Sequence, residues 1–152
     1  MHLVLYQPEI PQNVGTLIRF AACMGISLDI IEPCGFLFTD KHLRRAGMDY
    51  IEVARIQRFL SWSDFCQKGK GGRRIAVTTG AENSYTSFKF EPTDYLLMGQ
   101  ESVGFPPNIL EACDDQVAIP MMPGTRSLNV ALAASIVTSE ALRQTKGLPH
   151  YG

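Results

Sequence analysis

Short apolar runs alternate along this chain with longer stretches of helical period. Leu3-Val4-Leu5-Tyr6 is continuously apolar, as a strand buried on both faces would be, and Pro8, Pro11 and Gly15 punctuate the next segment. From Asn13 onward, Val14, Leu17, Ile18, Ala21 and Ala22 recur at i, i+3, i+4, i+7 and i+8. That spacing predicts one stripe of a helix, with Asn13 as its N-cap and Gly25 as its stop. Leu28–Ile31 reads as a second strand, Lys41–Ala46 as a short helix, and Ile51–Ala54 as a short strand. The same alternation continues with a helix over Ser61–Gln67, strands over Ile75–Thr79 and Tyr95–Met98, and a helix over Pro107–Cys113. A strand over Gln116–Ile119 stops at Pro120, and a last helix runs from about Ser127 to Thr145. The start of that helix, from Leu128 to Ala134, is apolar on nearly every face, so it needs cover on more than one side.

Strand–helix alternation of this kind predicts an α/β domain with a mostly parallel sheet flanked by helices. Ligands of such sheets sit beyond the carboxyl ends of the strands, which singles out the segments after Tyr6, Thr79, Met98 and Ile119. Length fits one domain spanning residues 1–152, and 45% apolar against 19% charged residues is ample for a core and excludes a disordered chain. Cys23, Cys34, Cys66 and Cys113 are widely spaced, which fits free thiols in a reducing compartment better than a disulfide framework or a zinc site. No apolar run approaches membrane-spanning length and no signal peptide opens the chain, so a soluble cytoplasmic protein is expected. A net charge of −1 excludes a uniformly basic coat but permits local patches. Three such groups are Lys41, His42, Arg44 and Arg45, then Arg55 and Arg58, then Lys68, Lys70, Arg73 and Arg74. They fit either RNA phosphates or a plain solvated surface.

Three of the expected strand ends carry unusual residues. Gly99-Gln100-Glu101-Ser102-Val103-Gly104-Phe105-Pro106 sets two glycines around a carboxylate, as in a tight loop whose backbone comes close to a ligand. It has neither the Gly-Lys-Ser/Thr ending of a phosphate loop nor the spacing of a dinucleotide turn. Pro120-Met121-Met122-Pro123-Gly124-Thr125-Arg126-Ser127-Leu128-Asn129 delivers a hydroxyl, an amide and free backbone N–H groups to a helix start. Ser127 there is an N-cap, a ligand contact, or both. Near the N-terminus, Asn13-Val14-Gly15-Thr16-Leu17-Ile18-Arg19 places Arg19 two turns along a helix, as a surface arginine or as a cation for a phosphate. The three histidines are scattered, without metal-ligand spacing, and no Gly-x-Ser-x-Gly elbow is present. Metal-free group transfer is the category left.

Taken together, and with the flanks Leu3–Asn13, Ile31-Glu32-Pro33 and Leu43–Tyr50, these three segments resemble the motifs of the SPOUT superfamily of RNA methyltransferases. The resemblance is strongest to its short bacterial members that methylate the ribose of the tRNA wobble nucleotide, cytidine or uridine, and it covers essentially the whole chain. It implies an α/β fold with a C-terminal trefoil knot, S-adenosylmethionine held in that knot, a homodimer, and tRNA bound through its anticodon loop. By family correspondence Val77, Thr78, Gly99, Ile119, Ser127 and Leu128 line the cofactor pocket. Arg19 then holds an RNA phosphate and stabilises the developing alkoxide, while Glu101 orients Arg19, accepts a proton through water, or simply caps nearby N–H groups. Ala131-Leu132 and Ser139 depart from the family pattern, which often has Ser-Asn and a tyrosine there. Two other readings are a non-catalytic RNA-binding module on the same fold and a methyltransferase acting on ribosomal RNA.

Overall fold

The computed structural model describes residues 1–39, 41–69 and 71–150. The order is β1 (His2–Tyr6), α1 (Pro11–Met24), β2 (Ser27–Ile31), α2 (Lys41–Gly47), a 3₁₀ turn (Met48–Tyr50), β3 (Arg55–Phe59) and α3 (Trp62–Lys68). Then come β4 (Arg74–Val77), β5 (Tyr95–Met98), α4 (Pro107–Glu111), β6 (Asp115–Val117) and α5 (Val130–Gln144). The six strands form one parallel sheet in the order β3-β2-β1-β5-β4-β6, as the alternation predicts.

The continuous apolar strands are explained by helices on both faces. Leu3, Leu5, Leu28, Ile30, Ile75, Leu96 and Met98 point to a core closed by α1 and α5. Val4, Tyr6, Ile31, Tyr95 and Leu97 point the other way, onto Phe59, Phe65 and Ile109. On the first face α2 lies close against α1, because glycine permits it. A Cβ on Gly15 would lie 2.4 Å from that of Ala46, and one on Gly47 would lie 3.0 Å from the Gly15 carbonyl oxygen.

Boundaries shift from the sequence reading by one or two residues in several elements, β4 ending at Val77 rather than Thr79, β6 at Val117 rather than Ile119 and α4 at Glu111 rather than Cys113. Three further differences change a residue's role. α1 starts at Pro11, not at an Asn13 cap: proline occupies its first turn, and Asn13 is buried inside the helix. α5 starts at Val130, and its cap is Asn129, whose Oδ1 accepts the N–H groups of Ala131 and Leu132, so Ser127 is not the cap. The third strand is Arg55–Phe59 rather than Ile51–Ala54, which turns because the N–H groups of Val53 and Ala54 both donate to the Tyr50 carbonyl. Gly25 ends α1 in the left-handed conformation at φ 67°, as expected, and Ser61, expected as the first residue of α3, instead caps it by accepting from Asp64 N–H. The four cysteines are free. Among the described residues no helix is long and apolar enough to cross a membrane.

The register fixes where a site can form. Leu5 pairs with Met98, Met98 with Val77, and Val77 with Val117, so β5, β4 and β6 finish level and β1 one residue beyond them. The chain leaves all four strands along one edge of the sheet.

Candidate active site

Four segments leave that edge and are bound to one another. Glu101 accepts the backbone N–H groups of Glu9 (2.8 Å) and Ile10 (3.2 Å), just ahead of α1. Glu9 replies by accepting the Ser102 N–H at 3.0 Å and its hydroxyl at 2.7 Å. Those two donors hold the Glu9 carboxyl below the usual range. The loop after β5 is thus clasped to the lead-in of α1. Its own closure is a two-bond bridge, Gln100 N–H to Gly104 oxygen at 3.0 Å and Gly104 N–H to Gln100 oxygen at 2.9 Å. Gly104 sits at φ 69°, and a Cβ on Gly99 would lie 2.7 Å from the Gly104 carbonyl carbon. Gly99 is therefore required by the loop's own backbone, a different reason from the close ligand approach expected from sequence.

The last segment is tied in from the other side. Asn129, with its oxygen committed to the α5 cap, turns its amide N–H toward Asn13 and donates to Oδ1 at 3.0 Å. Asn13 is only 8% exposed, so this bond joins the first turn of α1 to the head of α5 in a largely water-free place.

Between these segments lies a cavity of about 580 Å³. Val77, Thr78, Gly99, Ile119, Ser127 and Leu128 all line it, and so does Glu101. Arg19 does not line it; six residues beyond Asn13, it stands about 9 Å further along α1. Arg19 and Glu101 are not brought together: the carboxylate is on backbone N–H groups, and the guanidinium lies 4.9 Å from the centroid of the Tyr50 ring. Among the described lining residues Arg126 is the one cation, a position to which sequence reasoning gave no separate role. The Asn13–Asn129 bond and the Glu9–Ser102 pair were equally invisible, since their partners are 116 and 93 residues apart.

The basic groups are partly dismantled by the fold. Arg55 donates to the Gly25 carbonyl, Arg58 pairs with Glu32 while lying 3.9 Å from the Phe38 ring centroid, and Arg73 grips the fully buried Asp94 in a two-pronged pair. Lys68 pairs with Asp64, and Lys70 lies outside the described residues. Arg74 lies over the Trp62 and Phe65 rings, and Lys41, His42, Arg44 and Arg45 are exposed on α2.

A family model described as the SpoU rRNA Methylase family matches residues 1–139. The chain belongs to that family. Among its SpoU relatives, a tRNA (cytidine(34)-2'-O)-methyltransferase of Beijerinckia indica is 49% identical over 96% of this chain and 92% of its own. A protein of the same name from Escherichia coli K12 is 41% identical over 95% of this chain and 93% of its own. A solved structure described as giving insights into the 2-OH methylation of C/U34 on tRNA superposes with a TM-score of 0.91 at 41% identity, covering 96% of each chain. An AdoMet-bound rRNA methyltransferase from Sinorhizobium meliloti superposes at 0.84 with 26% identity, over 93% of this chain and 55% of that one.

Proposed function

We propose that this SpoU family member transfers a methyl group from S-adenosylmethionine to the ribose 2'-hydroxyl of nucleotide 34 of tRNA, working as a cytoplasmic homodimer of one-domain chains. The observation that carries the reading is the cavity at the level strand ends, walled by the three motif segments together. Its relatives at 40–49% identity bear the name of that reaction.

The residues present fit the cofactor. A cavity of about 580 Å³ lies within the range of small-ligand sites. Ile119 and Leu128 offer apolar surface for a purine, while the strand ends at Val77, Thr78 and Gly99 offer backbone groups for its edge and the ribose. The Ser127 hydroxyl has no hydrogen-bond partner among the described residues and is available. When bound, S-adenosylmethionine supplies a methyl group on a sulfonium, already a good leaving group. The protein's task is then alignment, which in model systems supplies up to ~7–11 kcal/mol. The clasp of Glu9, Ile10, Glu101 and Ser102 and the Asn13–Asn129 bond hold the cavity walls for that purpose. The methyl carbon would exchange its bond to the sulfonium sulfur for one to the ribose oxygen, whose proton would pass to water, while Arg19 would stabilise the growing negative charge and hold a neighbouring phosphate. A guanidinium with a pKa above ~12 is a poor proton acceptor, so that is an electrostatic role.

The trefoil knot belongs to the same proposal. Ala118, where the chain leaves β6, bonds to Asn83 and Tyr85 in the long β4–β5 connection. Near the other end of α5, Gln144 accepts from Phe90 N–H and donates to the Phe88 carbonyl of that connection. One loop thus grips the C-terminal segment at both ends, as threading would require. The dimer rests on α5, which leaves Leu132 58% and Ile136 37% exposed beside Leu128 at 38%. Sedimentation at micromolar concentration should find a dimer; a stable, active monomer would remove that part of the proposal.

The deciding experiment maps ribose methylation on total tRNA and on ribosomal RNA, with and without the protein. Methylation confined to nucleotide 34 of tRNA is expected. Modification of ribosomal RNA alone, or no S-adenosylmethionine bound in a calorimetric titration, would overturn the reading.

Glu101 allows a narrower test. Glu101→Gln should weaken cofactor binding about fivefold, because a charge-assisted bond to the α1 lead-in becomes a neutral one. The pH–rate profile at saturating cofactor should keep its shape. A lost acidic limb would instead identify Glu101 as the proton acceptor.

A further inference from the structure

Arg19 and Tyr50 meet on the outside of the α1–α2 pair. The Arg19 guanidinium carbon lies 4.9 Å from the Tyr50 ring centroid, and among the described residues this ring is the partner of its charged end. We propose that Tyr50 is a positioning residue for Arg19, its ring face holding the guanidinium where it meets the RNA backbone. The proposal rests on the reading of Arg19 as the RNA-facing cation.

The argument begins with what an exposed arginine lacks. A long side chain on a helix surface samples many rotamers, and selecting one of them at the moment of binding is unfavourable. A partner that fixes the rotamer removes that cost. A carboxylate would fix it too, but would neutralise the charge and compete with the phosphate. An aromatic face attracts the cation through its quadrupole and leaves the net charge in place. Arg58 and Arg73 also lie over rings, those of Phe38 and Phe88, but each is paired with a carboxylate as well, Glu32 and Asp94. Among the described residues Arg19 has the ring without the carboxylate.

The ring is itself held by backbone. α2 is pressed onto α1 through the Gly15–Ala46 and Gly47–Gly15 approaches, with Leu43 fully buried between them. The 3₁₀ turn comes directly after Gly47, so the glycine contact sets the distance from the Arg19 helix to the Tyr50 ring. On its other side the Tyr50 carbonyl accepts from Val53 N–H at 3.1 Å and Ala54 N–H at 2.7 Å. Neither anchor uses the Tyr50 side chain, so substitutions there should leave the turn intact. The ring also packs against the core, so apolar bulk and aromatic face must be separated by experiment.

Single-turnover methylation at saturating tRNA and S-adenosylmethionine does this, for Tyr50→Phe, Tyr50→Leu and Tyr50→Ala, each alone and combined with Arg19→Ala. Tyr50→Phe should keep most of the rate. Tyr50→Leu, which keeps apolar bulk, and Tyr50→Ala should both slow it roughly 3–30-fold. Neither should slow the Arg19→Ala protein further, as a shared pathway demands. Cofactor affinity should be the same throughout. If Tyr50→Ala fails to fold, the Leu and Phe variants carry the comparison. The proposal is overturned by a wild-type rate for Tyr50→Leu, by Tyr50→Phe as slow as Tyr50→Leu, or by equal slowing with and without Arg19. An unchanged rate for Arg19→Ala alone overturns it differently, by removing the role of Arg19 beneath it.

Discussion

Arg19→Ala is expected to slow methyl transfer by about 10²–10³-fold at saturating tRNA and cofactor, the usual consequence of losing one preorganised donor to developing charge. S-adenosylmethionine affinity should stay nearly normal, because Arg19 is not among the residues that line the cavity. Arg19→Lys should recover little of the rate, since an ammonium lacks the planar fork that grips a phosphate and stacks less well on a ring such as that of Tyr50. Two other outcomes are distinct. If Arg19 is one phosphate contact among several, turnover at saturating RNA holds and only affinity and its salt dependence change. If Arg19 is a plain surface residue, neither moves. An unchanged single-turnover rate for Arg19→Ala would refute the catalytic assignment.

The same residues show what a sequence discloses and what it hides. β5 is read at its observed bounds, Tyr95–Met98, because a central parallel strand is apolar on both faces and its run ends at a glycine. β3 is misplaced for the opposite reason. It is an edge strand, its residues Arg55-Ile56-Gln57-Arg58-Phe59 are mostly exposed, and its arginines look like a surface patch. The neighbouring Ile51-Glu52-Val53-Ala54 has the apolar pattern of a strand, yet Val53 is 69% exposed in a turn. Helix starts slip by about a turn where two capping signals compete, as Pro11 does with Asn13 and Asn129 with Ser127. The six proposed cofactor contacts came from the family resemblance; Val77, Thr78 and Gly99 among them lie at strand ends, which parallel register brings together whatever the loop lengths, while Ser127 and Leu128 lie just ahead of α5. The bonds that lock the site were not legible. Glu101 meets Glu9 and Asn129 meets Asn13 across separations of 92 and 116 residues, and no local pattern specifies such pairs.

Gly99→Val is expected to weaken S-adenosylmethionine binding roughly 5–150-fold, the equivalent of the ~1–3 kcal/mol that overpacking costs, while the far-UV spectrum stays unchanged. The cause is not a side chain intruding on the ligand. A Cβ at Gly99 would come within 2.7 Å of the Gly104 carbonyl carbon and 3.0 Å of its oxygen. Backbone atoms cannot swing aside as a flexible side chain would, so the bridge between Gln100 and Gly104 must open. Once it opens, Glu101 and Ser102 shift from the Glu9 and Ile10 groups they are bonded to, and one wall of the cavity is displaced. The closed form becomes a minor state, and affinity falls by the fraction of molecules that still hold it. β5 ends at Met98, before the substitution, so the sheet is untouched. Gly80→Ala is the matched control, because a Cβ there meets nothing within 4 Å, and its affinity should lie within about twofold of wild type. Calorimetric titration of both variants with S-adenosylmethionine separates the two glycines. Normal affinity for Gly99→Val would show that the loop closes without the Gly99–Gly104 contact and that the cavity does not depend on it.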